Sequence, residues 1–248
     1  MKISIVGFGG MGHILVKLAK EQGMEVVSIV DPVAEGATHK ELNEESVGKA
    51  DVCIDFTTPD TALSNIDKYC LLGKNAVIGT TGWYDSVENV KKKVEECGIG
   101  LVYASNFSIG VNAFFRIVKS AAKIMNNSPE HDALAFELHH KRKKDSPSGT
   151  AKSLEKILLE NLNGKEKAVE EKLDRKIEEN ELHFASVRGG DIPGTHCIMF
   201  DSSADTIELK HTARNRDGFA TGALKAAEFV KGKKGFFTID NIMKEIFG

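Results

Sequence analysis

The residues best suited to chemistry lie at positions 137–151, which read ELHHKRKKDSPSGTA. Two adjacent histidines, a run of basic side chains and a Ser-Gly-Thr turn come directly before a helical pattern. Neutral imidazole can move protons near pH 7. Basic side chains attract anions, and the N–H groups at a helix start can hold a carboxylate or phosphate. The segment therefore indicates acid–base chemistry on a small anion, with a solvated basic loop as the alternative.

The composition excludes several other classes of protein. The chain has 248 residues, 41% of them hydrophobic and 28% charged, which is typical of a soluble globular protein of one or two domains. A formal net charge of −3 disfavours general binding to nucleic acid. No apolar run approaches the roughly 20 residues of a membrane span. The four cysteines lack C-x-x-C spacing, so we expect reduced thiols, a cytoplasmic location and no zinc or disulfide framework.

The N-terminal residues follow the pattern of a dinucleotide site. A short apolar run meets the glycine turn GFGGMG at residues 7–12, which satisfies G-x-G-x-x-G. A helical pattern and a second apolar strand follow, ending at Asp31, about 20 residues beyond the turn. Such glycines let the backbone approach a pyrophosphate, and the acid accepts hydrogen bonds from the ribose. Because Pro32 follows and no basic residue occurs before Lys40, we expect NADH to be preferred over NADPH.

The elements that position these residues alternate between strand and helix. After the first two strands, strand patterns recur at residues 51–56, 75–78 and 99–103, with helical patterns between them. This alternation predicts an α/β fold with a doubly wound, Rossmann-type parallel sheet. Ligands bind at the carboxyl ends of such strands, so the loops at Thr57, residues 79–81 and residues 104–107 are expected near a nicotinamide.

The order of strand and helix patterns changes beyond residue 108. A helical pattern at 111–125 and another at 150–162 accompany strand patterns at residues 133–140, 183–187, 197–201 and 206–212. The charged stretch at 164–180 is interpreted as a surface helix or mobile loop. A last helical pattern, at 219–231, is expected to return to the nucleotide sheet. We therefore predict a dinucleotide-binding domain of residues 1–107 and 217–248 and a second, α+β domain of residues 108–216.

The motif HHxxKxDxPSGTA at residues 139–151 resembles the signature of dihydrodipicolinate reductase, also called 4-hydroxy-tetrahydrodipicolinate reductase. Four more blocks agree in order and spacing: the glycine turn, GTTG at 79–82, ASNFSIGVN at 104–112 and VRGGDIPGTH at 187–196. The resemblance spans essentially the whole chain. It implies NAD(P)H-dependent reduction of a cyclic dicarboxylate imine in the diaminopimelate route to lysine. It also implies a homotetramer joined through a mixed, open sheet in the second, substrate-binding domain.

The resemblance further implies a role for each matching residue. His139 would be the acid/base residue and Lys143 the proton donor. Substrate contacts would come from His140, Gly149 and Thr150. Cofactor contacts would come from Gly7, Phe8, Gly9, Gly10, Met11, Gly12, Asp31, Gly79, Thr80, Thr81, Ala104, Ser105, Asn106 and Phe107.

Elementary chemistry agrees with these roles. Hydride attack on a conjugated imine builds negative charge, and a lysine beside other cations releases its proton more readily. In an extended strand, His139 and His140 point to opposite faces and cannot share a role. No acidic or cysteine partner is spaced to help them, so we expect no metal. Asp145 either orients Lys143 or only caps the turn.

Two departures from the family pattern concern the cofactor. Many members carry an additional residue in the glycine turn, frequently an arginine, and some have a basic residue where this chain has Pro32. Both changes remove contacts to a 2′-phosphate and strengthen the expectation of NADH. The alternatives are another Rossmann dehydrogenase of amino or keto acids and a non-catalytic NAD-binding sensor. The basic run at 141–144 could also mark an interface.

Overall fold

The computed structural model describes all residues, Met1–Gly248. The chain divides into two compact units, the first made of Met1–Ile109 with Arg216–Gly248 and the second of Gly110–Asn215. Each unit is built on its own sheet. No helix combines the length and the apolar character needed to cross a membrane.

Strands and helices alternate through most of the chain. The strands are β1 Lys2–Val6, β2 Glu25–Val30, β3 Val52–Asp55, β4 Asn75–Ile78, β5 Gly100–Tyr103, β6 Asp132–His139, β7 Lys167–Val169, β8 Glu181–Arg188, β9 Thr195–Asp201, β10 Thr206–Thr212 and β11 Gly235–Thr238. The helices are α1 Gly10–Glu21, α2 Glu44–Val47, α3 Pro59–Leu71, α4 Val87–Cys97, α5 Ile109–Met125, α6 Gly149–Asn161, α7 Asp217–Val230 and α8 Ile239–Phe247.

The first unit contains a six-stranded parallel sheet in the order β11-β5-β4-β3-β1-β2. Its inner strands are buried on both faces. Residues such as Ile5 and Val77 pack against α1, α7 and α8, whereas Cys53 and Ile78 pack against α3 and α4. Coverage on both faces explains why these strands read as continuous apolar runs. The strand order reverses direction at β1, which is where a doubly wound sheet binds its ligand. The predicted Rossmann-type sheet is confirmed.

Local sequence signals set the helix boundaries in this unit. Pro59 occupies the first turn of α3, and Thr58 before it forms a capping box. Gly98 ends α4 in the left-handed conformation, with φ +69°. The final segment supplies both the edge strand β11 and helix α8.

The second unit contains a five-stranded mixed sheet in the order β10-β9-β6-β8-β7. Strands β6, β7 and β8 run parallel to one another, and β9 and β10 form antiparallel pairs. Helices α5 and α6 share one core with β6, β8 and β9. Val187 and Ile207 remain 51% and 41% exposed. The mixed, open sheet predicted for this part of the chain is confirmed.

The charged stretch at 164–180 contains strand β7 and no helix, which corrects the prediction of a surface helix. Its basic side chains form ion pairs with the neighbouring strand. Glu181 on β8 is buried and forms ion pairs with Lys167 at 2.9 Å and with Arg175 at 2.7 Å. Because a buried carboxylate needs partners, these basic side chains hold the segment against β8.

Candidate active site

The glycine turn forms a cradle at the start of α1. Gly7 has φ +91°, and a Cβ there would collide with the carbonyl oxygen of Phe56. A Cβ on Gly12 would collide with the carbonyl oxygen of Gly7, so helix and strand pack with their backbones in contact. A Cβ on Gly9 would meet nothing within 4 Å, and no side chain caps α1. Free N–H groups facing open space fit the pyrophosphate of a dinucleotide.

Asp31 joins this turn to the loop after β2. One carboxylate oxygen accepts a hydrogen bond from Phe8 N at 2.8 Å, and the other accepts from Val33 N at 3.0 Å and Ala34 N at 2.8 Å. Burial raises the pKa of Asp31, but the three N–H donors outweigh burial and lower it. A carboxylate has about four acceptor positions, so one is left for a ribose hydroxyl.

Arg216 lies beside the glycine turn, a position that no sequence pattern predicted. Its Nη1 is 3.5 Å from the position that a Cβ of Gly10 would take. The side chain is exposed and comes from the residue before α7, far from the turn in the chain. A cation therefore stands at the start of α1, although the segment after Asp31 has none before Lys40.

The loops expected near a nicotinamide rest on a buried acid that the sequence analysis did not identify. Asp55, at the end of β3, accepts hydrogen bonds from Tyr69 Oη at 2.9 Å, Asn65 Nδ2 at 2.9 Å and Thr57 Oγ1 at 2.7 Å. Thr80 Oγ1 accepts from Thr57 N at 2.9 Å. Burial raises the pKa of Asp55, and the neutral donors only partly oppose it. This cluster ties the loop after β3 to the loop after β4.

The predicted nicotinamide residues differ in accessibility. Gly79 packs against the ring of Phe56, which leaves no room for a Cβ. Ala104 and Phe107 are buried, so the Phe107 ring belongs to the core. Ligand contacts from these loops can therefore come from backbone groups and from the four residues that are less buried, which are Gly79, Thr81, Ser105 and Asn106.

In the second unit, the central feature is the buried carboxylate of Glu137 on β6. One oxygen accepts hydrogen bonds from Arg188 Nη2 at 2.8 Å, Ser186 Oγ at 2.8 Å and Ser148 N at 3.0 Å. The other accepts from Ser148 Oγ. Burial raises the pKa of Glu137, but hydrogen bonds from His196, Ser148 and Arg188 hold it well below the usual range. Glu137 is therefore an anion at any physiological pH.

His139 ends the same strand and faces this anion. Its Nδ1 is 3.3 Å from Glu137 Oε2, and His196 Nε2 is also 3.3 Å from that oxygen. The other nitrogen, Nε2, is 3.0 Å from the position that a Cβ of Gly194 would take. Burial lowers the pKa of His139 to about 4. The nearby His196, Lys143 and Arg188 also lower this pKa, whereas the Glu137 anion raises it. The imidazole is thus neutral near pH 7.

The expectation that His139 has no acidic partner is wrong. Residues two apart share a face of a strand, so the E-x-H spacing at 137–139 contained the missed signal. His196 lies directly opposite Glu137 in the β6–β9 pairing. The three ligand atoms of Glu137, His139 and His196 lie within 4.8 Å of one another, a spacing that suits a metal ion. Glu137 Oε1 already accepts a hydrogen bond from Arg188, whose charge would repel a cation there.

Lys143 stands in the turn after β6 and is held by an acid. Its Nζ lies 2.8 Å from both carboxylate oxygens of Asp145, and its side chain is 22% exposed. Of the two roles considered for Asp145, the structure shows the ion pair with Lys143. The neighbouring Arg142 instead pairs with Asp191 at the surface, at 2.6 Å.

The predicted substrate contacts lie at the start of α6. Ser148 caps this helix by accepting a hydrogen bond from Ala151 N at 3.1 Å. A Cβ on Gly149 would meet nothing within 4 Å, and Thr150 follows in the first turn. His140 donates its N–H to Ile192 O at 2.8 Å, and its Nδ1 is buried without a hydrogen-bond partner. The segment thus combines a helix start, a cation and imidazoles, which suits an anionic ligand that exchanges protons.

Comparisons with known proteins identify the family of this chain. Residues 1–107 match the family described as dihydrodipicolinate reductase, N-terminus, and residues 110–243 match dihydrodipicolinate reductase, C-terminus. A 4-hydroxy-tetrahydrodipicolinate reductase of Christiangramia forsetii is 36% identical over 100% of this chain and 99% of its own length. One from Archaeoglobus fulgidus is 37% identical over 98% and 100%.

Solved structures share the fold. A dipicolinate-bound dihydrodipicolinate reductase from Paenisporosarcina sp. TG-14 matches with a TM-score of 0.77 and 24% identity, covering 96% of this chain and 97% of that one. A C. glutamicum DAP dehydrogenase in complex with DAP matches with a TM-score of 0.53 and 13% identity, covering 98% and 95%. From the family matches and the relatives together, this chain belongs to the dihydrodipicolinate reductase family.

Proposed function

We propose that this protein reduces 4-hydroxy-tetrahydrodipicolinate to tetrahydrodipicolinate with NAD(P)H, in the diaminopimelate route to lysine. The observation that carries the proposal is the segment from His139 to Thr150. It combines a neutral buried imidazole, an ammonium group held by Asp145 and an open helix start, in a chain of the dihydrodipicolinate reductase family. Those groups match a reaction that protonates a dicarboxylate while its ring is reduced.

Within the second unit, we assign the chemistry to two residues. Lys143 is the proton donor, because its ammonium group is oriented by Asp145 and only partly exposed. His139 is the acid/base residue, and its pKa of about 4 makes it an acceptor at neutral pH. Gly149 and Thr150 bind a substrate carboxylate through the helix start, and His140 contributes beside them.

Within the first unit, the cofactor contacts follow the glycine turn and the loops after β4 and β5. When bound, NAD(P)H supplies the hydride. The turn at 7–12 binds the pyrophosphate, Asp31 binds the ribose, and residues 79–81 and 104–107 line the nicotinamide half. NADH is preferred, because Asp31 is an anion with no basic residue close behind it in the chain.

The second unit also mediates assembly in this proposal. Its sheet leaves Val187 exposed on the face that also carries the partly exposed Leu134, Phe136 and Leu138, and apolar residues on an open sheet face favour association. A homotetramer joined through this sheet would cover them. The four free cysteines suit the reducing cytoplasm, where we place the enzyme.

An assay of cofactor oxidation tests the reaction. The substrate is made in place from pyruvate and aspartate semialdehyde by the preceding synthase, and NADH or NADPH absorbance is followed. We expect oxidation that depends on the synthase and runs faster with NADH. Oxidation of neither cofactor, despite measurable NADH binding, would contradict the proposal and favour another dehydrogenase or an NAD-binding sensor.

A further inference from the structure

We propose that Glu137 is a positioning residue, which holds the His139 ring with its proton on Nδ1 and leaves the Nε2 lone pair free for the reacting molecule. The inference rests on the proposed function only in giving His139 a part in catalysis. Glu137 itself is buried beneath the ring. It therefore acts through His139.

The first support is the geometry of the strand. Glu137 and His139 share one face of β6, and the 3.3 Å separation joins Oε2 to Nδ1. The contact does not have hydrogen-bond geometry, and Nδ1 has no other partner. An anion 3.3 Å away attracts an N–H hydrogen and repels a nitrogen lone pair, so it favours the hydrogen on Nδ1. His139 is neutral and has a single ring hydrogen, which leaves Nε2 as an acceptor.

The second support is that Glu137 cannot turn away from the ring. Its other oxygen, Oε1, is held by three donors from two other segments, which are Ser148 N, Ser186 Oγ and Arg188 Nη2. Two of these donors lie on β8, where Ser186 pairs with Glu137 and Arg188 pairs with His139 across the β6–β8 ladder. A carboxylate fixed at one oxygen presents the other in a constant direction. The His139 ring then faces a rigid acceptor.

The third support is the glycine on the far side of the ring. Gly194 approaches His139 Nε2 so closely that a Cβ there would lie 3.0 Å from it. His196 packs edge-on against His139, with ring centroids 5.3 Å apart. Glycine at 194 keeps the Nε2 side free of a side chain. The ring is thus constrained at Nδ1 and along its edge, and no side chain at position 194 covers Nε2.

Hydrogen bonds also link the Glu137 carboxylate to the start of α6 and, through Arg188 and Asp145, to Lys143. Ser148, which binds Glu137 through its N–H and hydroxyl, is the cap of α6. Arg188, which also binds Glu137, donates to the carbonyl oxygen of Asp145 at 2.7 Å, and Asp145 pairs with Lys143. These links fix the carboxylate in place, and its effect on the reaction is expected through His139, which it contacts directly.

The test measures the tautomer of His139 by ¹⁵N NMR of the labelled full chain. In the wild type we expect the Nδ1–H form, and in Glu137→Gln we expect that preference to be lost, because an amide can donate as well as accept. The Nε2–H form in the wild type would overturn the proposal, and this result requires no variant. The tautomer is read without turnover, so failure of the proposed reaction is recognised separately.

Kinetics give a second readout. Glu137→Gln is expected to lower kcat roughly tenfold or more while KM changes little. In a His139→Gln background the same change should cost almost nothing further, because both act through one ring. Additive losses would show that Glu137 acts elsewhere and would overturn the proposal.

Glu181→Gln is the matched control. Glu181 is as deeply buried, carries arginine and lysine partners and lies in the same unit, on β8. We expect it to lower the thermal midpoint while leaving the His139 tautomer and kcat unchanged. A loss of kcat in Glu181→Gln equal to that in Glu137→Gln would reduce the Glu137 effect to stability and contradict the inference.

Discussion

Asp55 in the first unit and Glu137 in the second are both fully buried, yet their pKa values move in opposite directions. Burial raises the pKa of each. The donors to Asp55 are neutral, such as Tyr69 and Asn65, and they do not offset the loss of water. Glu137 has Arg188 beside it, and its pKa falls well below the usual range.

The comparison shows what each cluster does. The Asp55 cluster ties two loops together and needs no fixed charge to do so. The Glu137 cluster maintains an anion next to His139 and requires a cation to keep it buried. A buried charge is costly, so its presence next to the imidazole points to chemistry, whereas the Asp55 cluster, whose hydrogen-bond donors are all neutral, points to scaffolding.

The largest expected effect is on turnover in the second unit. Lys143→Ala should lower kcat by about 10²–10⁴-fold, because it removes the proton donor. NADH affinity, measured by fluorescence titration, should be unchanged. Lys144→Ala is the control, since Lys144 is adjacent and exposed. Equal losses in the two variants would remove Lys143 from the chemistry.

The two buried acids should differ when each is replaced by its amide. Glu137→Gln should cost about 4 kcal/mol of unfolding free energy, because Arg188 is left without its counter-charge. Asp55→Asn should cost about 1 kcal/mol, because its partners are neutral. Urea unfolding of both variants measures the difference. Similar costs would break the distinction between a carboxylate with a cationic partner and one with only neutral donors.

The pH dependence of stability sharpens the same contrast. The pKa of His139 is about 4 when folded and 6.5 when unfolded, so the unfolded chain binds more protons between these values. Stability should therefore fall as pH drops from 6.5 to about 4, by about 3 kcal/mol in total. His139→Gln should lack this component in urea titrations at several pH values. An unchanged pH slope would mean that His139 is not a neutral buried group.

A smaller effect is expected at the ribose site of the first unit. Asp31→Ala should weaken NADH binding about tenfold, roughly 1.4 kcal/mol, because the ribose loses a charged acceptor. NADPH binding should weaken less, since the carboxylate also repels a 2′-phosphate. Calorimetric titration with both cofactors measures the ratio. Equal weakening would count against the basis for NADH preference.

The smallest effect is expected at Arg216. Arg216→Ala should weaken the binding of NADH and NADPH by the same few-fold factor. Its guanidinium lies at the start of α1, where the pyrophosphate shared by the two cofactors is proposed to bind. Arg214→Ala, also an exposed arginine of the preceding loop, is the matched control. A selective loss of NADPH would instead identify Arg216 as a contact of the 2′-phosphate.

The sequence predicted those parts of the molecule whose signals are contiguous. The glycine turn, the strand that ends at Asp31 and the alternation of strand and helix lie within short stretches of chain, so their periodicity and turn chemistry were readable. The signature at 139–151 carried the family and with it the reaction. The prediction of a surface helix at 164–180 was wrong. Strand β7 is only three residues long, too short to show a strand pattern, and its charge pairs with a residue on another strand.

The Rossmann sheet, the mixed second sheet and the segment that holds His139 and Lys143 could be predicted from residue patterns along the chain. The grouping of Glu137, His196 and Arg188 around His139, and the position of Arg216 beside Gly10, became visible only in the folded chain. Helix starts and strand faces depend on neighbouring residues. The pKa of a buried group and the direction of a ring depend instead on which distant segments pack against it.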